Sequence, residues 1–183
     1  MELMDLLAKR RAYRSLAPAV IGEETARDLA AAAALSASCF NKQPWRFVFA
    51  YEKEVLDKLL QAMNKGNEWT RAASMIVAVC SRRDLACVVR EREYYLFDAG
   101  MATAFLILRA TEKGLVAHPI AGYDEEKAKE ALGVPGDMTL ITLVVVGRHL
   151  LPPSALLNEQ QREIEKTRPE RLPLDEIMRL NRF

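Results

Sequence analysis

The sequence has almost nothing with which to hold a metal or build a nucleophile. Only two histidines (His118, His149) and three cysteines (Cys39, Cys80, Cys87) occur in 183 residues. Their spacings match none of the paired Cys/His patterns that close a tetrahedral zinc site. No metal site is expected. Cys39 has no His or acid beside it in sequence to draw off its proton, so a nucleophilic thiol is not expected either. The odd cysteine count and the start Met1-Glu2-Leu3-Met4-Asp5, with acids where a secretory leader carries bases, predict reduced thiols and a cytoplasmic location. Long apolar runs are missing too. The longest, Ala99 to Leu108, has half of the roughly 20 residues that span a bilayer and reads as a buried helix, not a membrane segment. Charge of one sign is absent: 26 Lys and Arg against 25 Asp and Glu leave a net +1. That excludes the basic surplus of a nucleic-acid binder and the acidic surplus of a disordered chain. No P-loop, G-x-S-x-G elbow or glycine-rich dinucleotide fingerprint occurs.

What is present is an ordinary globular composition, 50% hydrophobic and 28% charged, of a length that suits one domain spanning residues 1–183. Within the balanced charge, arginine outnumbers lysine by 17 to 9. The apolar periodicity predicts helices over Glu2–Arg10, Glu23–Ala37, Lys53–Met63 and Arg90–Lys113, the last closed by Gly114. Glu68–Ala73 reads as one further helical turn. Asp124 is placed to cap a helix ending at Leu132 and Gly133, and Ala155–Lys166 reads as helical. Strands are predicted at Trp45–Tyr51, with Trp45, Phe47 and Phe49 on one face, at Leu115–Ala121, and as the buried runs Met75–Cys80 and Leu140–Val146. The tail 168–183 reads as basic and extended. Helices alternating with few strands imply an α+β or α/β sheet covered on both faces. The small residues Ala99, Gly100, Ala102, Thr103 and Ala104 suit either a tight internal packing or a helix at a subunit interface.

Four clusters can carry chemistry, and each has a plain structural reading beside it. Lys9-Arg10-Arg11-Ala12-Tyr13-Arg14 places forked guanidiniums where they can grip a phosphate or carboxylate, or simply ends a helix with favourable cations. Ser36 to Trp45 gathers hydroxyl, thiol and amide groups in a loop that can line a flat polar ligand or merely lead into a strand. His118-Pro119-Ile120-Ala121-Gly122-Tyr123-Asp124 is a strand-to-helix turn whose backbone N–H groups can face an anion or a ring nitrogen. Arg168-Pro169-Glu170-Arg171 is a second basic element, or a solvated tail.

Taken in order, the clusters resemble the nitroreductase family of FMN-dependent oxidoreductases. Arg10-Arg11-Ala12-Tyr13-Arg14-Ser15 is similar to the family's early Arg-Arg-Ser-x-Arg segment. Ser38-Cys39-Phe40-Asn41-Lys42-Gln43-Pro44-Trp45-Arg46-Phe47 is similar to its Ser-x-x-Asn-x-Gln-Pro-Trp-x-Phe stretch, the most specific of the matches. Asp98-Ala99-Gly100-Met101-Ala102 sits where the family has a long interface helix. Pro119-Ile120-Ala121-Gly122-Tyr123-Asp124, then Leu132-Gly133-Val134-Pro135, resembles a later conserved-type stretch. Val145-Val146-Gly147 and Arg171-Leu172-Pro173-Leu174 resemble the closing strand and C-terminal signature.

The resemblance implies a three-layer fold, a mostly antiparallel sheet of four to five strands flanked by helices. It implies an intertwined homodimer with FMN at the interface, the C-terminal extension from about residue 150 to 183 swapped onto the partner. In that scheme Arg10 and Arg171 bind the FMN phosphate, with Arg11, Ala12 and Arg168 beside them, and Arg14 lies near the N1 and O2 edge of the ring. Ser38, Cys39, Asn41 and Gln43 reach the flavin of the other subunit, Ala121 and Gly122 lie near N5, and Asn67 is a further flavin-side contact. No side chain is catalytic, because a flavin carries the redox chemistry while the protein supplies position and field. The implied activity is a ping-pong transfer of hydride from NAD(P)H to a nitroaromatic, quinone or similar acceptor, with a flavin carrier or sensor, or a flavin-fragmenting or dehalogenating enzyme, as the alternatives. Ala12, Ala37 and Cys39 depart from the usual Ser, Pro and Ser.

Overall fold

The computed structural model describes residues 2–183, and β7 (Thr139–His149) is its spine. Six of its eleven residues (Thr139, Ile141, Thr142, Val144, Val145 and Val146) are β-branched, and β-branched side chains fit a pleated surface better than a helix. β7 pairs antiparallel with β3 (Met75–Ser81), with β6 (Val116–Ile120) and, at its end, with β1 (Leu16–Ala17). β3 in turn pairs antiparallel with β2 (Arg46–Ala50). The register sets Ile76 against Val145 and Val77 against Val144, with a shift between Val79 and Cys80. Every residue of β3 is buried, as its unbroken apolar run predicts for a strand covered on both faces.

Alternation sorts the side chains into two cores. Ile76, Ala78, Leu143 and Val145 face α3 (Lys53–Leu59) and α5 (Glu125–Leu132), together with Leu59, Trp69 and Ala128. Met75, Val77, Val79, Val144 and Val146 face α2 (Glu23–Ala34) and α4 (Tyr94–Glu112), with Trp45, Leu29, Ala102 and Leu106. The result is a helix–sheet–helix sandwich, and its sheet is the mostly antiparallel five-stranded one that the family resemblance implies. Each fully buried Leu or Val contributes about 1.5–3 kcal/mol.

Several elements differ from expectation: α2 stops at Ala34 rather than Ala37, and β7 runs on past Val146 to His149. The long helix starts at Tyr94, not Arg90, because Arg90 and Glu91 are both left-handed (φ 49° and 69°) and make a two-residue turn between β4 (Val88–Val89) and β5 (Arg92–Glu93). The helix after Lys53 ends at Leu59 and tightens into a 3₁₀ turn over Leu60–Ala62. The last long helix, α6 (Glu159–Lys166), begins four residues late because Asn158 and Gln161 form a capping box there. Asp124 does cap α5, accepting from the Lys127 N–H, and Gly133 closes it at φ 64°. The tail is exposed and carries one short turn of helix, α7 (Leu174–Ile177). α1 (Leu3–Lys9) precedes an irregular segment, residues 10–15, that runs into β1. Because β1 pairs Leu16 with His149 at the end of β7, that segment is held along the end of the sheet, beside α6.

Candidate functional site

The two arginine clusters, about 155 residues apart in sequence, lie together. A cleft of about 270 Å³ is lined by Arg10, Arg11, Ala12 and Arg14 from the segment after α1, by His118 from β6, by Ile164 and Glu165 from α6, and by Arg168, Pro169 and Arg171 beyond it. Burial, and then the charges of Arg168 and Arg171, hold the Arg10 guanidinium below its ordinary pKa. An arginine stays protonated regardless, so the cleft stores mutual repulsion that an entering anion would relieve. Arg168 donates to the Ala8 carbonyl, which ties the far cluster to the end of α1. A larger cleft of about 380 Å³ lies between residues 18–21 and 70–74, but Lys53, Asp57 and Arg71 give it mixed charge and no convergence.

Arg11 lines the arginine cleft yet is otherwise engaged. Its Nη2 donates to the carbonyls of Ile164 (2.7 Å) and Glu165 (3.0 Å) and to that of Thr167, closing the C-terminal end of α6. Ala12 offers no side-chain donor. Arg10, Arg14 and Arg171, with the N–H groups of Arg168 not given to Ala8, are the guanidinium donors left to meet a ligand.

The other predicted site residues lie away from this cleft within one chain. Ser38, Cys39, Asn41 and Gln43 form a separate loop. Ser38 Oγ accepts the Gln43 N–H at 2.9 Å, Gln43 Nε2 donates to Asn41 Oδ1 at 3.2 Å, and the Cys39 N–H donates to buried Asp98 at 3.1 Å. Phe40, Asn41 and Gln43 are all left-handed (φ 49°, 54° and 47°), a cost of about 1–2 kcal/mol for each non-glycine residue. Such strain concentrates at functional loops. Phe40 stands 88% exposed at its tip. The Cys87 thiol donates to the Cys39 carbonyl at 3.3 Å, and the neighbouring Cys87 side chain, followed by burial, pushes the Cys39 thiol up to about 11. Cys39 is therefore a protonated, weakly reactive thiol at neutral pH.

Asn67, Ala121 and Gly122 form a third group. Asn67 Nδ2 donates to the Gly122 carbonyl at 2.7 Å, and its Oδ1 accepts from Trp69 Nε1 at 3.2 Å. A Cβ on Gly122 would stand 2.5 Å from Asn67 Nδ2, so only glycine lets the amide approach. Asn67 thus pins the turn that follows β6. Among the described residues no cluster of three or more His, Cys, Asp or Glu groups could hold a metal ion, and no helix is long and apolar enough to cross a membrane.

His118 sits between the cleft and the core. Its Nδ1 lies 3.0 Å from the Tyr13 carbonyl and its ring packs on Trp69 at 4.8 Å. Burial pushes its pKa down to about 4, with Arg14 and Arg10 adding to the effect. The unfolded chain takes up this proton near the ordinary 6.5, the folded chain only near 4. Stability is therefore complete above pH ~6.5 and falls as the pH drops toward ~4, by about 3 kcal/mol in all. Urea unfolding at pH 7.5 and 4.5 should show that loss in the wild type and a much smaller one in His118→Gln. Equal losses in both would refute it.

The sequence model of the Nitroreductase family matches residues 7–85 and 62–148. An uncharacterised 15.4 kDa protein of Mycolicibacterium smegmatis is 34% identical over 124 residues, 68% of this chain and 81% of its own length. A protein of Archaeoglobus fulgidus, provisionally named an NADH dehydrogenase/NAD(P)H nitroreductase, is 27% identical over 150 residues, covering 80% of this chain and 84% of its own. A crystal structure described as an oxidoreductase containing FMN superposes with a TM-score of 0.86 at 26% identity, over 100% of this chain and 93% of that one.

Proposed function

The chain belongs to the nitroreductase family, and from that premise we propose that it is an FMN-dependent oxidoreductase taking hydride from NAD(P)H and delivering it to a nitroaromatic, quinone or similar acceptor. The observation that carries this reading is the convergence of Arg10, Arg14, Arg168 and Arg171 on one cleft, where burial and then Arg168 and Arg171 hold the Arg10 guanidinium below its ordinary pKa. The donor set fits the cofactor, since a phosphate monoester takes forked, charge-assisted bonds from guanidiniums. Arg10, Arg168 and Arg171 would hold the phosphate. Arg14 would set a fixed positive charge at the pyrimidine edge of the ring, favouring negative charge there. FMN, when bound, supplies a two-electron carrier that takes hydride from a nicotinamide and yields it to an acceptor.

The remaining residues fit the same reading. Ala121 and Gly122, held by Asn67, would offer backbone to the ring, and Asn67 would act by holding that backbone. Ser38, Cys39, Asn41 and Gln43 lie outside the cleft of their own chain, which suits a loop completing the site of a second copy in a homodimer. The exposed Leu96, Phe97 and Phe105 of α4 and the tail residues Leu172, Leu174, Ile177, Met178, Leu180 and Phe183 are apolar surface that such a dimer, with residues 150–183 reaching across, would cover. Residues 1–183 then act as one domain, in the cytoplasm. NAD(P)H as donor is suggested by the name of the archaeal relative.

The purified protein should carry a flavin spectrum, or acquire one with added FMN, and bleach on anaerobic addition of NADH or NADPH. A chain that binds no FMN refutes the reading. One that is yellow but oxidises neither nicotinamide with any acceptor is a carrier or sensor instead.

A further inference from the structure

Arg10 and Arg14 must be presented to the cleft by residues 10–15, a segment with no helix or strand of its own. A cluster of side chains behind it, which the proposed function does not use, fixes it. Glu165 on α6 has a side chain only 3% exposed. Its Oε1 accepts the backbone N–H of Arg14 at 2.7 Å. Its Oε2 stands 3.6 Å from Nε2 of His149, and neither of these buried atoms has a hydrogen-bond partner. The His149 ring stacks on Tyr13, centroids 3.7 Å apart and planes 20° off parallel. Arg11 covers Tyr13 at 4.6 Å while it closes the end of α6. Residues 11, 13 and 14 are thus each tied to α6 or to the end of β7.

The direction in which Glu165 faces is informative. A buried carboxylate beside four guanidiniums would gain most Coulomb energy by pairing with one of them. Among the described residues Glu165 makes no ion pair with Arg10, Arg14, Arg168 or Arg171, and looks instead to an amide and an imidazole. The cleft keeps its positive charge, and the acid is spent on holding the backbone.

We infer that Glu165 and His149 are positioning residues of the arginine cleft: the carboxylate fixes the chain at Arg14, the imidazole fixes the carboxylate, and so the two arginine clusters meet at one anion. The identity of that anion as the phosphate of FMN rests on the proposed function; the clasp itself does not. His149 is faced by Tyr13 and Arg11 from the segment, by Glu165 from α6, and by Lys9 across an adjoining groove. Burial holds it below its ordinary pKa, Glu165 pulling it up and Arg11 pushing it down. At neutral pH it is a neutral ring whose Nε2 proton is placed to face the carboxylate.

The test uses Glu165→Ala, Glu165→Gln and His149→Phe in the full chain, with amide exchange and the His149 ring titration followed by NMR and FMN affinity by equilibrium dialysis. Glu165→Ala should speed exchange of the Arg14 amide and weaken FMN about tenfold each, the loss of one buried charge-assisted bond. Glu165→Gln, whose amide oxygen still accepts, should restore Arg14 protection and most of the affinity. It should also lower the His149 midpoint, since the opposite charge is gone. His149→Phe keeps the stack on Tyr13 and should speed Arg14 exchange by an intermediate amount. Unchanged Arg14 exchange in Glu165→Ala with an unchanged His149 midpoint in Glu165→Gln would overturn the clasp. A wild type that binds no FMN would overturn the flavin reading, while exchange and titration would still decide the clasp.

Discussion

Replacing Arg10 with Ala is expected to weaken FMN binding about 10- to 100-fold, and the double variant Arg10→Ala/Arg171→Ala further still. Each guanidinium would contribute charge-assisted bonds to one phosphate, and each such bond is worth about 1.5–3 kcal/mol. The salt dependence of binding should fall with each arginine removed, because fewer charges remain to be screened. The sign of the stability effect separates this from damage to the fold. Arg10 is held below its ordinary pKa by burial and then by Arg168 and Arg171, so the folded state disfavours its charge. Removing that charge relieves repulsion, and the ligand-free variant should melt at the wild-type temperature or slightly above it. Titration calorimetry against FMN and riboflavin, with thermal melts of the ligand-free proteins, checks both halves. Riboflavin, which lacks the phosphate, should be nearly indifferent to Arg10→Ala. An unchanged FMN affinity would remove Arg10 from the phosphate site. A large drop in melting temperature would reassign it to the fold.

The sheet was legible in sequence because its signal is local. Met75–Cys80 is an unbroken apolar run and Leu140–Val146 is interrupted only by Thr142, and such short runs rich in Ile and Val suit a strand covered on both faces. The alternation of Trp45, Phe47 and Phe49 correctly picked one face of β2. The hairpin β4–β5 was hidden because its turn is made by Arg90 and Glu91, residues that prefer helix and carry none of the Asn-Gly chemistry by which such turns are recognised. β1 is two residues long, too short for any period, and exists because Leu16 and Ala17 find the end of β7.

The site divides in the same way. The arginines were readable as residue types suited to an anion, but their meeting was not, since nothing local joins Arg10 to Arg171. The resemblance supplied that pairing and the cleft is where it stands in this chain. Three contributors carried no signal for the role they play. Glu165 looks like one acid among several on an exposed helix. Arg11 looks like a further phosphate ligand, and its engagement with the end of α6 depends on a helix 150 residues away. His118 is visible in sequence only as part of a strand-to-helix turn, yet it lies at the boundary between cleft and core. Each of these roles is set by long-range packing, which periodicity does not encode.

The costliest single change outside the cleft should be Trp69→Ala. Trp69 is 1% exposed and packs in the core formed by α3, α5 and one face of the sheet. Truncating a buried aromatic of that size removes about 3–5 kcal/mol, a large share of the roughly 5–15 kcal/mol that holds a domain together. The site should suffer through two separate contacts. Without the indole N–H, Oδ1 of Asn67 loses its partner, and the amide that holds the Gly122 carbonyl is free to turn. Without the indole ring, one face of His118 opens to water, so its pKa should climb from about 4 back toward 6.5. Trp69→Phe separates packing from hydrogen bonding. It keeps most of the apolar bulk but leaves Asn67 Oδ1 unpaired, and should cost about 1–3 kcal/mol. The order of urea stabilities should therefore be wild type, Trp69→Phe, Trp69→Ala. In the alanine variant alone the loss of stability between pH 7.5 and 4.5 should shrink, because a hydrated His118 accepts its proton while still folded. A Trp69→Ala protein within about 1 kcal/mol of the wild type would mean that the cavity collapses and the core does not depend on this ring. A wild-type pH dependence in that variant would mean that the burial of His118 comes from the arginine segment rather than from Trp69.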